Sequence, residues 1–574
     1  MPSKEENARN GLPETDWRDA QYDMLYLPVT ETVRYHYDFN GNRTATVLPD
    51  GKQINYLYYG SGHLHQISLD DEVITDIERD KLHREIYRTQ GKLASRYELD
   101  PLGRLKRQIA TLNDLTEGGK GKTKVAAGYG QTAVKRSYGY DRTGNLTHST
   151  DQRTGTTQFE YDKLGRITQA GNELFAFDPA DNILSDDLSA IPDNRLKTYN
   201  GTTYYYDELG NLIHRELADG EVQNYFYDLH DQLVKAEIFK KDGSKETWAY
   251  TYDALGRRIG KGRLKDEEVS DGLEEKTGFV WDGSHLLQEI QPDGRYTYIY
   301  TNPDSYDPLA QVRNRTNEEG ESCQQIHYFH CDQIGIPREM IDKDGNLLWL
   351  GNYTGWGRLK EETKVTDSAY QPFRLQNQYA DRETGLHYNF FRYYEPDAGR
   401  FVNQDPIGLR GGANLYFLAI NVQTFSDVLG LIAAYLPLDH LGRPTGAFAI
   451  VTKADIGKGS DASVDPPGWK GGQCPHHQQR GHLLAKNHGG SGSDKRNVVT
   501  LTDGTNHPGM TRHERTITNS ANKGNTVFVI VLALYEGDNL IPSKIKMLAW
   551  DNKNGVIVNN EVVNGLRQNT KCQC

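Results

Sequence analysis

Cysteine is scarce. Five residues, at 323, 331, 474, 572 and 574 of a 574-residue chain, are too few and too scattered for a disulfide framework. Their use fits folding in a reducing compartment. Long apolar runs are missing too: the longest, Val527 to Leu534, falls well short of the ~20 residues that cross a bilayer. The opening MPSKEENARNG has no signal-like apolar core. The expectation is a soluble chain with no membrane segment. A disordered acidic chain would be poor in aromatics, whereas this one carries 35 Tyr and 57 Gly. Its length excludes a single small fold, since domains run to ~100–200 residues.

Charge and tyrosine divide the chain at one place. Residues 432–574 hold 16 Lys+Arg against 11 Asp+Glu, a balance of +5, and residues 1–431 hold 50 against 68, a balance of −18. Only Tyr435 and Tyr535 lie beyond position 431. These shifts predict a domain boundary near 431.

Before that boundary the chain repeats itself. An aromatic-x-aromatic-Asp-x-x-Gly-Asn/Arg-hydrophobic unit recurs as YHYDFNGNR from Tyr35, YGYDRTGNL from Tyr138, FEYDKLGRI from Phe159, YYYDELGNL from Tyr204 and YTYDALGRR from Tyr250. Looser copies begin at Tyr97, Phe175, Tyr225 and Phe279. Alternation puts both rings on one face of a strand, Asp and Gly supply the side-chain bond and positive φ of a tight turn, and the hydrophobic residue opens the returning strand. Each unit is therefore predicted to be a β-hairpin. A lone hairpin is marginal, so stacking must stabilise the array. Read singly, each Tyr is an ordinary half-buried strand residue.

These units resemble the YD-repeat family, the rearrangement-hotspot (Rhs) proteins and their toxin-complex relatives. The resemblance implies a curled β-sheet shell over 31–365, after an N-terminal segment of 1–30. Residues 366–431 are similar to the family's core-associated segment, in which GRF is followed by DPIGL and a second DPxGL after which the chain cuts itself. Here Asp405-Pro-Ile-Gly408 is followed, 18 residues later, by Asp427-Val-Leu-Gly430. Val428 stands where the family has Pro, and Asn403-Gln404 also departs from its pattern. The implied chemistry is aspartyl autoproteolysis, with Asp405 and Asp427 as acid and base, Arg400 as their electrostatic partner and Leu431–Ile432 as the scissile bond. The alternative is that both Asp simply start β-turns.

Beyond 431, seven of the 18 His gather in a quarter of the chain, six of them between His476 and His513. Arg480-Gly-His482 before Leu483-Leu484-Ala485 reads as a strand with Arg480 and His482 on one side. Pro508-Gly509 sets a helix to start after Asn506, and a largely helical course would turn Asn506 and Glu514 toward one pocket. A base, an amide and a carboxylate at one pocket suit metal-assisted phosphodiester hydrolysis. From RGH-L-x-A through N-V-V to Asn506 and Glu514, the segment resembles the DNA/RNA non-specific endonucleases with a ββα-metal finger, with Gln479 where the family commonly has Asp. The resemblance implies a small α+β domain over 432–574 in which His482 is the general base, Asn506 the direct Mg²⁺ ligand, Glu514 a helper holding water on that ion, and Arg480 the stabiliser of the phosphate. Lys486, Lys495, Arg496 and Arg512 would add attraction for nucleic acid.

Together the two resemblances imply a mainly β polymorphic toxin. Its shell would enclose and release a Mg²⁺-dependent nuclease acting on DNA or RNA. It would be made in the bacterial cytoplasm, exported by a secretion system, act in the cytoplasm of a target cell and be countered by an immunity protein. The rival readings are a non-enzymatic surface or carbohydrate-binding protein, and a nuclease built on His507 and His513. Cys474, His476, His477, Cys572 and Cys574 read either as a zinc site or as an unstructured tail.

Overall fold

The computed structural model describes residues 31–112, 132–184, 191–265, 273–406, 414–423 and 441–565, apart from 41, 61, 304, 317–321, 367–368, 376, 420, 452, 454–455, 458, 473–476, 493, 526 and 552–554. The chain divides into two compact units, Met1–Leu431 and Ile432–Cys574. Among the described residues no helix is long and apolar enough to cross a membrane.

The first unit is antiparallel β throughout. Strands between Arg34 and Leu174 form a 13-stranded sheet, and those between Thr198 and Lys364 a 15-stranded one, each strand pairing with its neighbours in sequence. The turn chemistry of the repeat is visible at Asp162. Its Oδ1 accepts from Leu164 N at 2.9 Å and Arg166 N at 3.0 Å, its Oδ2 accepts from Arg166 Nε at 2.7 Å, and Gly165 takes φ +83°. The same i to i+4 bond recurs at Asp80, Asp100, Asp141, Asp178, Asp207, Asp228 and Asp253. It continues at Asp332, Asp342 and, through a hydroxyl, Thr354, extending the repeat beyond the motif. The unit from Phe279 departs from it. Asp282 pairs directly with His285 across a two-residue turn, and its carboxylate takes Tyr35 Oη at 2.8 Å and Arg43.

At four of these turns the tyrosine before the Asp has a specific task. Tyr140, Tyr161, Tyr227 and Tyr252 donate to the backbone carbonyls of Leu105, Leu146, Leu212 and Leu233 at 2.7–2.9 Å. Each acceptor is the hydrophobic residue that opens the returning strand of an earlier hairpin. The hydroxyl therefore staples one repeat to another.

Residues 379–401 form a separate four-stranded sheet whose Tyr379, Leu386, Tyr388, Tyr394 and Phe401 lie in the same core as Tyr204, Tyr250 and Trp349 of the large sheet. A buried ionic cluster ties the two together. Arg258 reaches Asp381 through both terminal nitrogens at 2.5 and 2.9 Å, and Lys261 reaches Asp381 at 3.1 Å and Glu383 at 2.9 Å. Tyr388, Phe279 and Tyr379 rings surround the guanidinium at 4.3–5.3 Å. A second buried carboxylate, Glu289, has no need of a cation, because Tyr298, Tyr370 and Tyr379 donate to it at 2.7–2.8 Å.

In the second unit, elements are numbered from its own start. Strand β1 (Gly446–Val451) pairs with β4 (Val527–Leu534), which pairs with β5 (Lys544–Asp551) and then β6 (Gly555–Val563); β2 (Gln478–His482) and β3 (Val498–Thr502) form a separate hairpin, and α1 (Thr511–Asn522) follows β3. Leu483, Val499, Leu501, Met510, Ile517, Ala521, Val529 and Met547 share one core, so hairpin, helix and sheet are fixed against each other. This is a small α+β domain with a β-β-α succession.

These two kinds of contact differ in weight. Asp381→Ala leaves the buried Arg258 without its carboxylate and Lys261 with Glu383 alone, and is expected to destabilise the repeat unit by about 3–5 kcal/mol, whereas Tyr227→Phe removes one neutral bond and costs about 1 kcal/mol. Chemical denaturation followed by Trp fluorescence checks the order; equal effects contradict it.

Candidate functional site

The β2–β3 hairpin carries the expected residues. Its register sets Arg480 opposite Thr500 and His482 opposite Val498. Ahead of it, Asn497 is fully buried and clamps the segment after His482. Its Oδ1 accepts from Leu484 N at 2.7 Å, and its Nδ2 donates to Leu484 O at 3.1 Å and Ser491 O at 2.9 Å.

That clamp holds His482 half-buried, with Nε2 2.9 Å from the Ser460 carbonyl. A carbonyl only accepts, so Nε2 carries the proton and the neutral ring keeps its lone pair on Nδ1. Burial lowers the pKa of this imidazole from its ordinary 6.5, against the Ser460 carbonyl and the Asp461 carboxylate, which raise it. His482 is thus a neutral base at pH 7.

Asn506 is not on the helix. A six-residue irregular turn, Thr505–Met510, precedes α1, with His507 at φ −132° and ψ 119° and Pro508 lacking an N–H. The helical course expected between Asn506 and Glu514 is therefore replaced by a bend. It is closed by Thr511, whose hydroxyl donates to Asn506 O at 2.9 Å and lies 2.6 Å from His507 Nδ1. The Asn506 amide donates from Nδ2 to Gln479 Oε1 at 2.6 Å, which joins the turn to β2. Its Oδ1 has no hydrogen-bond partner among the described residues.

Glu514 lies in the first turn of α1, half-buried, and its carboxylate has no partner among the described residues. Burial pushes its pKa up to about 7. The backbone beneath it is anchored by His488, whose Nε2 is 3.1 Å from Glu514 O and 3.0 Å from Thr518 Oγ1; burial holds that imidazole down at about 4. His513, on the same turn, has its pKa lowered by burial and by Arg512.

Arg480 is engaged by a residue that the sequence reading did not single out. Its Nε and Nη2 reach Asp465 Oδ1 at 2.7 and 2.6 Å, and its guanidinium lies 5.0 Å from the Trp469 ring centroid. Of the four basic residues expected to attract nucleic acid, Lys486 pairs with Asp461 at 2.8 Å and Arg496 with Asp494 at 2.7 Å, whereas Lys495 and Arg512 are exposed. Cys474, His476, Cys572 and Cys574 lie outside the described residues, as do Asp427, Leu431 and Ile432.

Asp405 is buried, yet its ion-pair partner is Arg392, 3.3 Å away, and not Arg400. Arg400 instead donates to Asn182 Oδ1 at 3.2 Å and to Asn194 O, with Tyr416 under its guanidinium at 4.9 Å. The physical reason is register: Arg400 pairs with Glu395 at the end of the small sheet and faces the loops at 182 and 194. One face of Asp405 borders a cavity of about 410 Å³, lined also by Tyr252, Tyr393, Phe391 and Asp231.

Family models match at residues 140–173 (RHS Repeat), 326–363 (RHS protein) and 424–553 (DNA/RNA non-specific endonuclease). The chain is 37% identical to double-stranded DNA deaminase toxin A of Burkholderia cenocepacia over 70% of this chain and 29% of that protein. It is 31% identical to toxin protein Tse5 of Pseudomonas aeruginosa over 73% of this chain and 35% of that protein. It is 28% identical to the probable deoxyribonuclease RhsB of Dickeya dadantii over 72% of this chain and 28% of that protein. The chain thus spans about a third of the length of these relatives. With repeat hairpins through its first unit and an endonuclease match across its second, the chain belongs to the Rhs, or YD-repeat, family and ends in a DNA/RNA non-specific endonuclease domain.

Proposed function

We propose that this chain is part of an Rhs-type antibacterial toxin whose second unit hydrolyses phosphodiester bonds of nucleic acid with a divalent cation, Mg²⁺ by preference. What supports this reading is the set of residues that the β-β-α succession carries: a neutral His482 held through Nε2 by the Ser460 carbonyl, an Asn506 amide tied to Gln479 of β2, and Glu514 in the first turn of α1, its carboxylate without a partner among the described residues. Oxygen donors suit a hard cation. The residues fit such an ion: the bond from Asn506 Nδ2 to Gln479 leaves Oδ1 without a partner among the described residues, and a nearby positive charge would relieve the cost of the half-buried Glu514 carboxylate, which has no partner among them either. Asn506 would hold the ion with help from Glu514, and its charge would offset that developing on the phosphate.

The chain's own residues supply the rest. His482 Nδ1 takes a proton from the attacking water, whose oxygen bonds to phosphorus as the bond to the leaving sugar oxygen breaks; that oxygen is then protonated from solvent. Arg480 donates to the phosphate oxygens as charge builds on them. Contacts of this kind grip phosphate and ion, so the reading extends to DNA and RNA alike. His507, turned to Thr511, is a turn closer in this account. The repeat unit is the carrier, and Asp405 with Asp427 releases the nuclease by cutting after Leu431. Arg392, not Arg400, is the cation that holds Asp405. The −18 balance of residues 1–431 and the +5 balance of 432–574 support a carrier of opposite sign to its cargo. In this reading an acidic immunity protein would protect the producing cell from the basic nuclease, and a secretion system would deliver the toxin to its neighbour; the printed names of two relatives support the word toxin.

Two outcomes test this. In plasmid and RNA cleavage with Mg²⁺, His482→Ala is expected to lower kcat about 10²–10⁴-fold. At saturating Mg²⁺, where the cation's charge would keep Glu514 ionised, the acid limb of kcat in the wild type should have its midpoint below 6.5, because the base loses activity only as protons reach a site whose pKa burial has lowered. Unchanged cleavage in the variant contradicts the assignment. For release, intact mass of the purified chain should give two fragments divided at Leu431–Ile432, abolished by Asp405→Asn; a lone 65.0 kDa species contradicts it.

A further inference from the structure

Asp465-Pro-Pro-Gly-Trp469 lies outside every secondary-structure element, yet two buried polar side chains of the β2–β3 hairpin are committed to docking it. Thr500 Oγ1 donates to Pro467 O at 2.8 Å, and Gln478 both donates from Nε2 to Gly468 O at 3.3 Å and accepts at Oε1 from Lys470 N at 2.5 Å. Thr500 is the cross-strand partner of Arg480, and Gln478 precedes Arg480 by two residues. Gly468 is needed twice over: it takes φ +77°, and a Cβ there would come within 2.7 Å of Ile541. The docked loop delivers a carboxylate and an indole to one guanidinium.

An exposed ion pair of this kind contributes little to stability, and 61% of the Asp465 side chain is open to solvent. A role in orientation accounts for it better. Both Arg480 contacts, from Nε and Nη2, go to the single oxygen Oδ1, on one edge of the guanidinium. The other edge, with Nη1, keeps its donors for a planar pair of phosphate oxygens. The indole supports the plane of the group.

We propose that Asp465 and Trp469 are positioning residues for Arg480, setting which edge of its guanidinium meets the scissile phosphate. The inference rests on the reading of Arg480 as the phosphate-stabilising group. It is tested on the full chain with supercoiled plasmid and Mg²⁺, comparing Asp465→Ala, Trp469→Ala, Arg480→Ala and the double variants with Arg480→Ala. Misorientation of a catalytic group costs about 10- to 100-fold, so each positioning variant should lose that much kcat, with KM and Tm little changed. In the Arg480→Ala background neither should cause further loss, because the group they orient is gone. Should Asp465→Ala lower Tm, Asp465→Asn carries the same comparison. Full activity in Arg480→Ala overturns the reading of Arg480 itself. Loss in Arg480→Ala with undiminished activity in Asp465→Ala, or losses that multiply in the double variants, overturns the positioning role alone.

Discussion

A β-hairpin can be extended into a sheet by main-chain pairing alone, but pairing does not say where its turns must stand or how far one repeat is shifted against another. In this chain side chains that bond to main-chain atoms settle both. At most repeat turns an Asp carboxylate folds the turn onto its own backbone N–H groups, and at four of them the tyrosine before it donates to the opening residue of an earlier hairpin. The second unit works by the same device: Asn497 holds the backbone after β2, Thr500 and Gln478 hold the loop at 465–470, and a carbonyl fixes the tautomer of His482. Such bonds are individually worth about 1 kcal/mol. Their effect is to remove alternative registers.

Buried charge plays a different part. The small sheet of residues 379–401 closes against the large one through Arg258, Lys261, Asp381 and Glu383, a set in which every ion depends on another. Well-paired buried ions add little net stability, but losing one partner is costly. The cluster therefore specifies one seating of the small sheet. The sequence that follows that sheet contains Asp405, whose N–H donates to Leu415 O at 2.8 Å.

The repeat was legible because its signal is periodic and local: aromatic alternation, Asp, then Gly at a fixed offset. Thr354 escaped because a hydroxyl does the work of the carboxylate there, and Asp282 misled because its turn is shorter and its side chain is spent on Tyr35 and Arg43. The order of β2, β3 and α1 was legible as well, but the course between Asn506 and Glu514 was not, since Pro508 and the bend at His507 replace the helical spacing. Partners brought in from distant loops carry no local signal. Ser460 for His482, Asp465 for Arg480, and Arg392 in place of Arg400 for Asp405 became visible only in three dimensions.

In the proposed nuclease Asn506 and Glu514 gather oxygen donors for one hard cation used together with the neutral imidazole of His482. Binding of Mn²⁺ to the full chain at neutral pH, followed by electron paramagnetic resonance, tests this apart from any cleavage. One bound ion that is displaced by excess Mg²⁺ and lost in Asn506→Ala is the predicted result. A chain that binds no ion, or binds it as well after that substitution, would contradict the claim.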